Sequence, residues 1–273
     1  MELSQACRAV GMGAVFASEH TGPPRLHRAV PLLRSRLVVS LGSPLDIGYA
    51  GRAWRVQAVV TGMMRPGTAT PSLTLRPGQP TVYAELAPWA TQRLTGIPLD
   101  EVDAGGVDAG ELLPWLGLLS EELAALPADQ RAPLMRRRLL DRLARAAEPE
   151  FSPYAIEALK AIRASHGQLS VEELARQVHL GPRRLRQVMG DAMGIGPKFA
   201  SRIARLGAVV GRTGQGAASW AQIAAEGSYH DQSHLVRDFQ DLMCTTPTAW
   251  LAEEGRNLQG GRRSPPPPSN HDQ

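Results

Sequence analysis

The sequence predicts an α+β chain in two parts, a β-rich N-terminal domain that ends in helices and an all-α C-terminal domain. Three observations carry this reading. Short apolar runs alternate with Gly and Pro up to residue 110, the apolar period turns helical from Glu111, and residues 153–254 contain an internal repeat. The 273 residues suffice for two domains, at roughly 100–200 residues each. With 43% apolar and 21% charged residues and no long apolar run, a membrane span of about 18 or more apolar residues is excluded. The first twenty residues lack a basic start followed by a clean apolar stretch, so no secretory signal is visible and the expected compartment is the cytoplasm. The two cysteines, Cys7 and Cys244, offer neither a disulfide framework nor a metal cluster.

In the first part, Leu37–Leu41, Trp54–Val60, Ser72–Leu75 and Thr81–Leu86 read as strands, bounded by Gly42, Pro44, Gly48, Gly51, Gly62, Pro66-Gly67, Pro71 and Pro77-Gly78. Strands at such spacing with Gly/Pro turns point to an antiparallel sandwich or a small, cupin-like barrel. Leu112, Trp115, Leu116, Leu119, Leu123 and Leu126 then form one helical stripe. A second helix is expected over about 131–147, with Met135, Leu139, Leu140, Leu143, Ala144 and Ala147 apolar and Arg136, Arg137, Arg138 and Arg142 on the rest. These helices are expected to pack on their own β-domain in preference to a second copy of the chain. Glu148 to Pro153 reads as a boundary, with Ser152 as a cap and Pro153 opening the next helix. The expected division is 1–147, 150–254 and a disordered tail, 255–273, that holds the proline run ending at Pro268.

The repeat lies at an offset of 50 and pairs Leu185 with Leu235, Met189 with Phe239, Gly194 with Cys244 and Pro197 with Pro247, while Leu174-Ala175 pairs with Ile223-Ala224 one residue out of step. In the first copy Ser170 and Glu173 have capping-box spacing. Val171, Leu174, Ala175 and Val178 form a buried side, His179-Leu180-Gly181 a turn, and Pro182 opens a second helix. The second copy has Trp220, Ile223 and Ala224, then Gly227-Ser228-Tyr229, then Leu235, Phe239 and Leu242. Two short helices joined by a tight turn, the second with base-pairing side chains outward, is the helix-turn-helix plan.

The run from Gly227-Ser228-Tyr229-His230-Asp231-Gln232-Ser233-His234-Leu235-Val236-Arg237-Asp238 to Phe239, with Thr246-Pro247 and Trp250-Leu251 after it, resembles the signature of the AraC/XylS family of bacterial transcription regulators. The resemblance covers about 155–251. Upstream, Ala87-Pro88-Trp89-Ala90 and Leu94 to Pro98 resemble the β-rich companion domain of one branch of that family, which is expected to be sensory or regulatory. The resemblance implies two recognition helices in successive major grooves, held apart by a linking helix over Pro197 to Val210. It places base-reading residues at Arg183, Arg186 and Gln187 in the first copy and at Gln232, Ser233, Val236 and Arg237 in the second. Arg184, Lys198 and Arg202 are expected to contact phosphate. Promoter DNA is the implied partner, with RNA polymerase, a small-molecule effector and a second copy of the chain as further ones, and no cofactor. The chain departs from the family pattern at Gln187, where Arg is usual, at Gly181, which replaces a Ser cap, and at Cys244, which stands where Gly usually follows the last helix.

Charge agrees with a phosphate footprint. From Arg183 to Arg212 there are seven basic residues against one acid, Asp191, whereas 1–110 has ten against eight. Asp231, Asp238 and Asp241 should make the second reader the weaker on phosphate. His230 and His234 have the spacing of a zinc pair, yet no Glu follows His230 and no third ligand is near. His20 and His27 are read as surface residues of a Gly/Pro-rich loop, and Gly211 to Gly216 as a flexible connector. Arg136-Arg137-Arg138 reads as a solvated helix face. No nucleophile elbow, phosphate loop or dinucleotide fingerprint is present. An enzyme or a metal- or ligand-binding barrel in the N-terminal part is the alternative reading.

Overall fold

A computed structural model describes residues 10–148, 150–213 and 219–259. Cys7, residues 214–216 of the expected Gly211 to Gly216 connector and the proline tail lie outside the described residues, and 211–213 of that connector belong to the helix that ends at Thr213. The N-terminal part holds two antiparallel sheets. Met12–His20 (β1), Ser35–Ser40 (β3), Ala58–Val60 (β6), Gln79–Leu86 (β8) and Val107–Asp108 (β9) form one in the order β1-β8-β3-β6-β9. Arg25–Arg28 (β2), Leu45–Tyr49 (β4), Arg52–Val56 (β5) and Ser72–Leu75 (β7) form the other in the order β2-β7-β4-β5. The strands differ in detail from those expected: the Trp54–Val60 run is divided at Gln57 between the two sheets, and β1, β2, β4 and β9 are additional. His20 ends β1 and His27 lies on β2, so neither belongs to the loop expected for it.

Alternation along the central strands decides the layers. Val38 and Val59 face the second sheet and meet its Leu45, Ile47 and Val56. Their neighbours Leu37, Val39 and Val60, with Val82, Ala84 and Leu86 of β8, face the other way and meet helices. Both faces of the five-stranded sheet are thus covered, a sandwich with a helical third layer. Pro88–Thr95 (α1), Ala109–Leu112 (α2), Trp115–Ala124 (α3) and Ala128–Arg145 (α4) supply that layer. Pro114 separates α2 from α3 within the expected stripe, of which Leu116, Leu119 and Leu123 are buried. On α4, Leu134, Met135, Leu139 and Leu143 are buried, while Ala144 and Ala147 are exposed.

The helical part runs through Pro153–Ala164 (α5), Val171–Gln177 (α6), Pro182–Met193 (α7), Pro197–Thr213 (α8), Trp220–Glu226 (α9), Gln232–Met243 (α10) and Pro247–Gln259 (α11). Pro153 opens α5, but the Ser152 hydroxyl makes no capping bond. The Ser170–Glu173 capping box is formed in both directions. The last helix continues to Gln259, beyond Glu254 where the sequence loses its apolar residues. Leu33, Met63, Met64, Leu99 and Ala104 of the N-terminal part belong to the same core as Leu159, Ile162, Leu185, Met193 and Leu206 of the helices. The two parts therefore share buried apolar surface across the boundary at 148–153.

Leu139 is fully buried in the helical layer, and Leu139→Ala should cost about 2–5 kcal/mol by removing side-chain contacts and leaving a void. Equilibrium urea unfolding followed by circular dichroism checks this.

Candidate nucleic-acid interface

The repeat is a structural one. Helices α7 and α10 run 182–193 and 232–243, at the same offset of 50. Each is preceded by a short helix, α6 or α9, and a turn whose left-handed residue is His179 (φ 56°) in the first unit and Ser228 (φ 57°) in the second. The glycines of those turns, Gly181 and Gly227, have negative φ instead. Each unit ends in a left-handed cap, Gly194 with φ 70° and Cys244 with φ 50°. A side chain in that region costs on the order of 1 kcal/mol, and Cys244 bears it while its N–H donates to the Gln240 carbonyl.

Leu185, Val188, Met189 and Met193 are buried along α7, which turns Arg183, Arg184, Arg186 and Gln187 to solvent. On α10 the buried set is Leu235, Asp238, Phe239, Leu242 and Met243. Gln232, Ser233 and Arg237 are exposed and Val236 is half-buried. Arg183, Arg186 and Gln187 therefore occupy the same helical positions as Ser233, Val236 and Arg237. The Arg184 guanidinium donates to Gln187 Oε1 at 2.9 Å along the exposed face. Gly181 starts α7 without a side-chain cap. Asp231 starts α10 by accepting from the His234 N–H at 2.7 Å. That bond, with the His230 ring bonded to the same carboxylate, holds the Asp231 pKa below its ordinary value.

Lys198, at the start of α8, is exposed. Arg202, one turn further on, is engaged within the protein: its guanidinium donates to Asp238 at 2.7 and 2.9 Å and to Asp241 at 2.8 Å. Burial pulls the Arg202 pKa down, and its bonds to the two carboxylates outweigh that and raise it. Asp238 is 2% exposed and also accepts from the Tyr229 hydroxyl at 3.1 Å. Burial, then the Asp238 charge, holds the Tyr229 phenol well above its usual range. The Arg205 guanidinium stacks 5.4 Å over the Tyr229 ring. This network joins the turn and second helix of one unit to the linking helix α8. Sequence reasoning missed it, although the signal was present: Asp238 falls on the 235, 238, 239, 242 stripe that faces the core. The three acids of the second unit thus have internal work, Asp231 as a cap and Asp238 and Asp241 as partners of Arg202.

A pair of two-helix units, each with an outward second helix carrying Arg and Gln, defines a module for double-stranded DNA. Residues 174–253 match the family described as helix-turn-helix domain, and the C-terminal region carries an AraC-type domain of this kind. No curated protein sequence matches the chain. Among solved structures, an apo single-residue variant of ToxT from Vibrio cholerae shares 7% identity over 88% of this chain and 98% of its own, with a TM-score of 0.51. Wild-type ToxT from Vibrio cholerae with bound unsaturated fatty acid shares 10% identity over 89% of this chain and 95% of its own, also at 0.51. The AraC-like transcriptional activator CuxR shares 13% identity over 80% of this chain and 79% of its own at 0.29, too low to bear on the fold. The two-part fold is that of the ToxT structures. Among the described residues, no group of three His, Cys, Asp or Glu side chains is placed to hold a metal ion, and no helix is long and apolar enough to cross a membrane.

Asp238→Ala leaves the buried Tyr229 hydroxyl without its acceptor and Arg202 with Asp241 alone, so the folded state should lose about 1–3 kcal/mol, the usual cost of an unsatisfied buried group. Thermal unfolding of the full chain measures it; an unchanged midpoint would show the pair to be a solvated contact.

Proposed function

We propose that this chain is a cytoplasmic bacterial transcription regulator, without catalytic activity, that reads two successive major grooves of promoter DNA with α7 and α10. The observation that carries the reading is the second exposed helix at the same offset as the first, on a domain of helix-turn-helix type. Major grooves on one face of B-DNA lie about 34 Å apart, a separation that suits two units held by one linking helix. In this reading Arg183, Arg186, Gln187, Gln232, Ser233, Val236 and Arg237 face base edges. Arg pairs with guanine, Gln with adenine, and Val236 meets a thymine methyl. Arg184 and Lys198 contact phosphate. Arg202 is the weakest phosphate candidate of the three in this reading, because its Nε and Nη2 donate to Asp238 and Asp241.

The N-terminal sandwich is read as the effector domain. A cavity of about 70 Å³ opens between its sheets, walled by Val30, Val38, Ile47, Val59 and Leu73 with Arg34 and Arg36 at one end. Arg36 Nε and Thr70 Oγ1 are buried there without a hydrogen-bond partner. The carboxylate among these cations is Glu85, 3.7 Å from both Arg34 and Arg36. Burial, then the Arg34 charge, brings the Arg163 pKa down to about 10 against the pull of Glu85, so a third guanidinium from α5 shares the same surroundings. Free donors and excess positive charge beside apolar walls suit a small anionic effector with an apolar body. RNA polymerase contact and pairing with a second copy are further parts of this reading, and Leu118, 76% exposed on α3, is an apolar residue available for the latter.

Fluorescence anisotropy of the full chain on duplexes selected from random sequence, over a salt series, tests the DNA reading. Arg237→Ala should lose about 1–3 kcal/mol on the selected site and relax preference at one position, while Lys198→Ala should weaken all sequences alike and flatten the salt slope by about 1. Equal losses on selected and random duplexes for Arg237→Ala would remove it from the base readers. For the cavity, Glu85→Gln should cost about 3 kcal/mol in stability, and added butyrate should recover part of it by binding the folded state alone. Stability that does not respond to butyrate in either form would count against an anion site.

A further inference from the structure

One N-terminal segment touches both helix-turn-helix units at equivalent places. The segment is 61–71, between β6 and β7, and it is rooted by Met63 and Met64, each 3% exposed, in the core shared with the helices. Arg65 lies beside the first unit: its guanidinium donates to the carbonyls of Leu99, at 3.4 Å, and Asp100 in the 99–101 turn of the N-terminal part, and its Nη1 would stand 3.4 Å from a methyl placed on Gly194, the cap of α7. Thr70 reaches the second unit, where its backbone N–H donates to the Leu242 carbonyl at 3.1 Å. Leu242 is in the last turn of α10, where carbonyls have no partner within the helix. The segment is thus bonded to the C-terminal end of α10 and lies beside the C-terminal cap of α7.

The stretch between the two anchors is stiff. Pro66 and Gly67, the latter at φ 80°, are the central residues expected of a type II turn. The Thr68 N–H and hydroxyl donate to the Arg65 carbonyl at 3.2 and 2.7 Å, and the Thr68 hydroxyl accepts from the Arg65 N–H at 3.2 Å. On one side the second unit is held to the linking helix α8 by the Arg202 pair with Asp238 and Asp241. A second short tie between the far ends of the readers closes the figure.

We propose that segment 61–71 is this tie, with Arg65 and Thr70 as positioning residues that fix the spacing and phase at which α7 and α10 meet the duplex. The proposal rests on the reading of those helices as base readers. Thr61, Gly62, Met64, Thr70 and Pro71 also wall the cavity, so an occupant of the cavity bears on the element that sets reader geometry.

The test uses the full chain and a duplex selected from random sequence, rebuilt with its two half-sites at the selected spacing and at spacings shifted by up to half a helical turn, and also as single half-sites. One variant carries two glycines inserted between Gly67 and Thr68, which separates the anchors without deleting either; the other is Arg65→Ala. The unaltered chain should prefer the in-phase duplex over the half-turn-shifted one by about tenfold or more, because a rigid pair of readers gains effective concentration only where the geometry fits. Both variants should bring that preference to within about threefold and leave half-site affinity unchanged, since each reader surface is intact. A variant with the full spacing preference of the unaltered chain overturns the tie, and so does a loss of half-site affinity equal to the loss on the full site. Should the insertion lower the melting temperature enough to unfold the chain, Arg65→Ala alone decides by the same criterion. Absence of any selected duplex for the unaltered chain would instead overturn the reader assignment, so the two failures are distinct.

Discussion

Burial of the Asp238 carboxylate is the constraint on which the second unit depends. A carboxylate taken out of water is costly unless its oxygens are bonded and its charge is met. At Asp238 both conditions are satisfied by groups from two places: Arg202 on the linking helix and Tyr229 in the turn. Neither can move away without leaving a carboxylate that is 2% exposed short of a partner. An apolar residue at 238 would fill the space, but it would give the unit no preferred azimuth on α8. The geometry of the ion pair supplies one. The first unit has the apolar Val188, buried, at the equivalent position, so the two copies of one plan differ in what fills that place.

The N-terminal sandwich has its own division of labour. Its central strands β3 and β8 are largely buried on both faces, because one face meets the second sheet and the other the helical layer. That double coverage makes the five-stranded sheet the rigid member. The four-stranded sheet is covered on one side only, and its outer strand β2 meets α11 through Arg28 with Glu253 and His27 with Glu254, at 2.9 and 3.0 Å. Partly exposed pairs of this kind contribute little to stability; their value is in register, because they bring the last helix of the second unit against the edge of the sandwich.

How much of this was legible in the sequence follows from the range of the interactions. The repeat, the capping box at Ser170 and Glu173, the apolar stripes and the outward side chains of α7 and α10 are local, set by residues three or four apart, and the sequence shows them directly. Strands β2 and β4 were not legible, because Arg25–Arg28 carries three basic or aromatic-basic side chains and Leu45–Tyr49 is interrupted by Asp46 and Gly48. They are strands because β7 pairs with both of them, a non-local cause. The internal pairing of Arg202 was hidden for the same reason. On its own helix it is one cation among several, and only the fold brings Asp238 and Asp241 beneath it. The cavity is equally hidden, since its walls come from the β2–β3 connection, β3, β4, the 61–71 segment and β8.

Three guanidinium groups around one buried carboxylate at the junction of the two parts make sense together with the tie. Arg34 and Arg36 belong to β3 and its approach, Glu85 to β8 and Arg163 to the first helix of the C-terminal part. Desolvation lowers the pKa values of Arg34 and Arg163, which means that the charged cluster is held at a cost that apolar packing on both sides must offset. An arrangement of this kind is most sensitive to a negative charge arriving nearby, because each cation gains from it and no comparable compensation exists in its absence. Thr70, whose N–H donates to the Leu242 carbonyl of α10, lines the same cavity as Arg34 and Arg36. A ligand bound there would shift the placement of α10 only by its difference in affinity between two arrangements. The excess of buried cations over carboxylate is what would make that difference large.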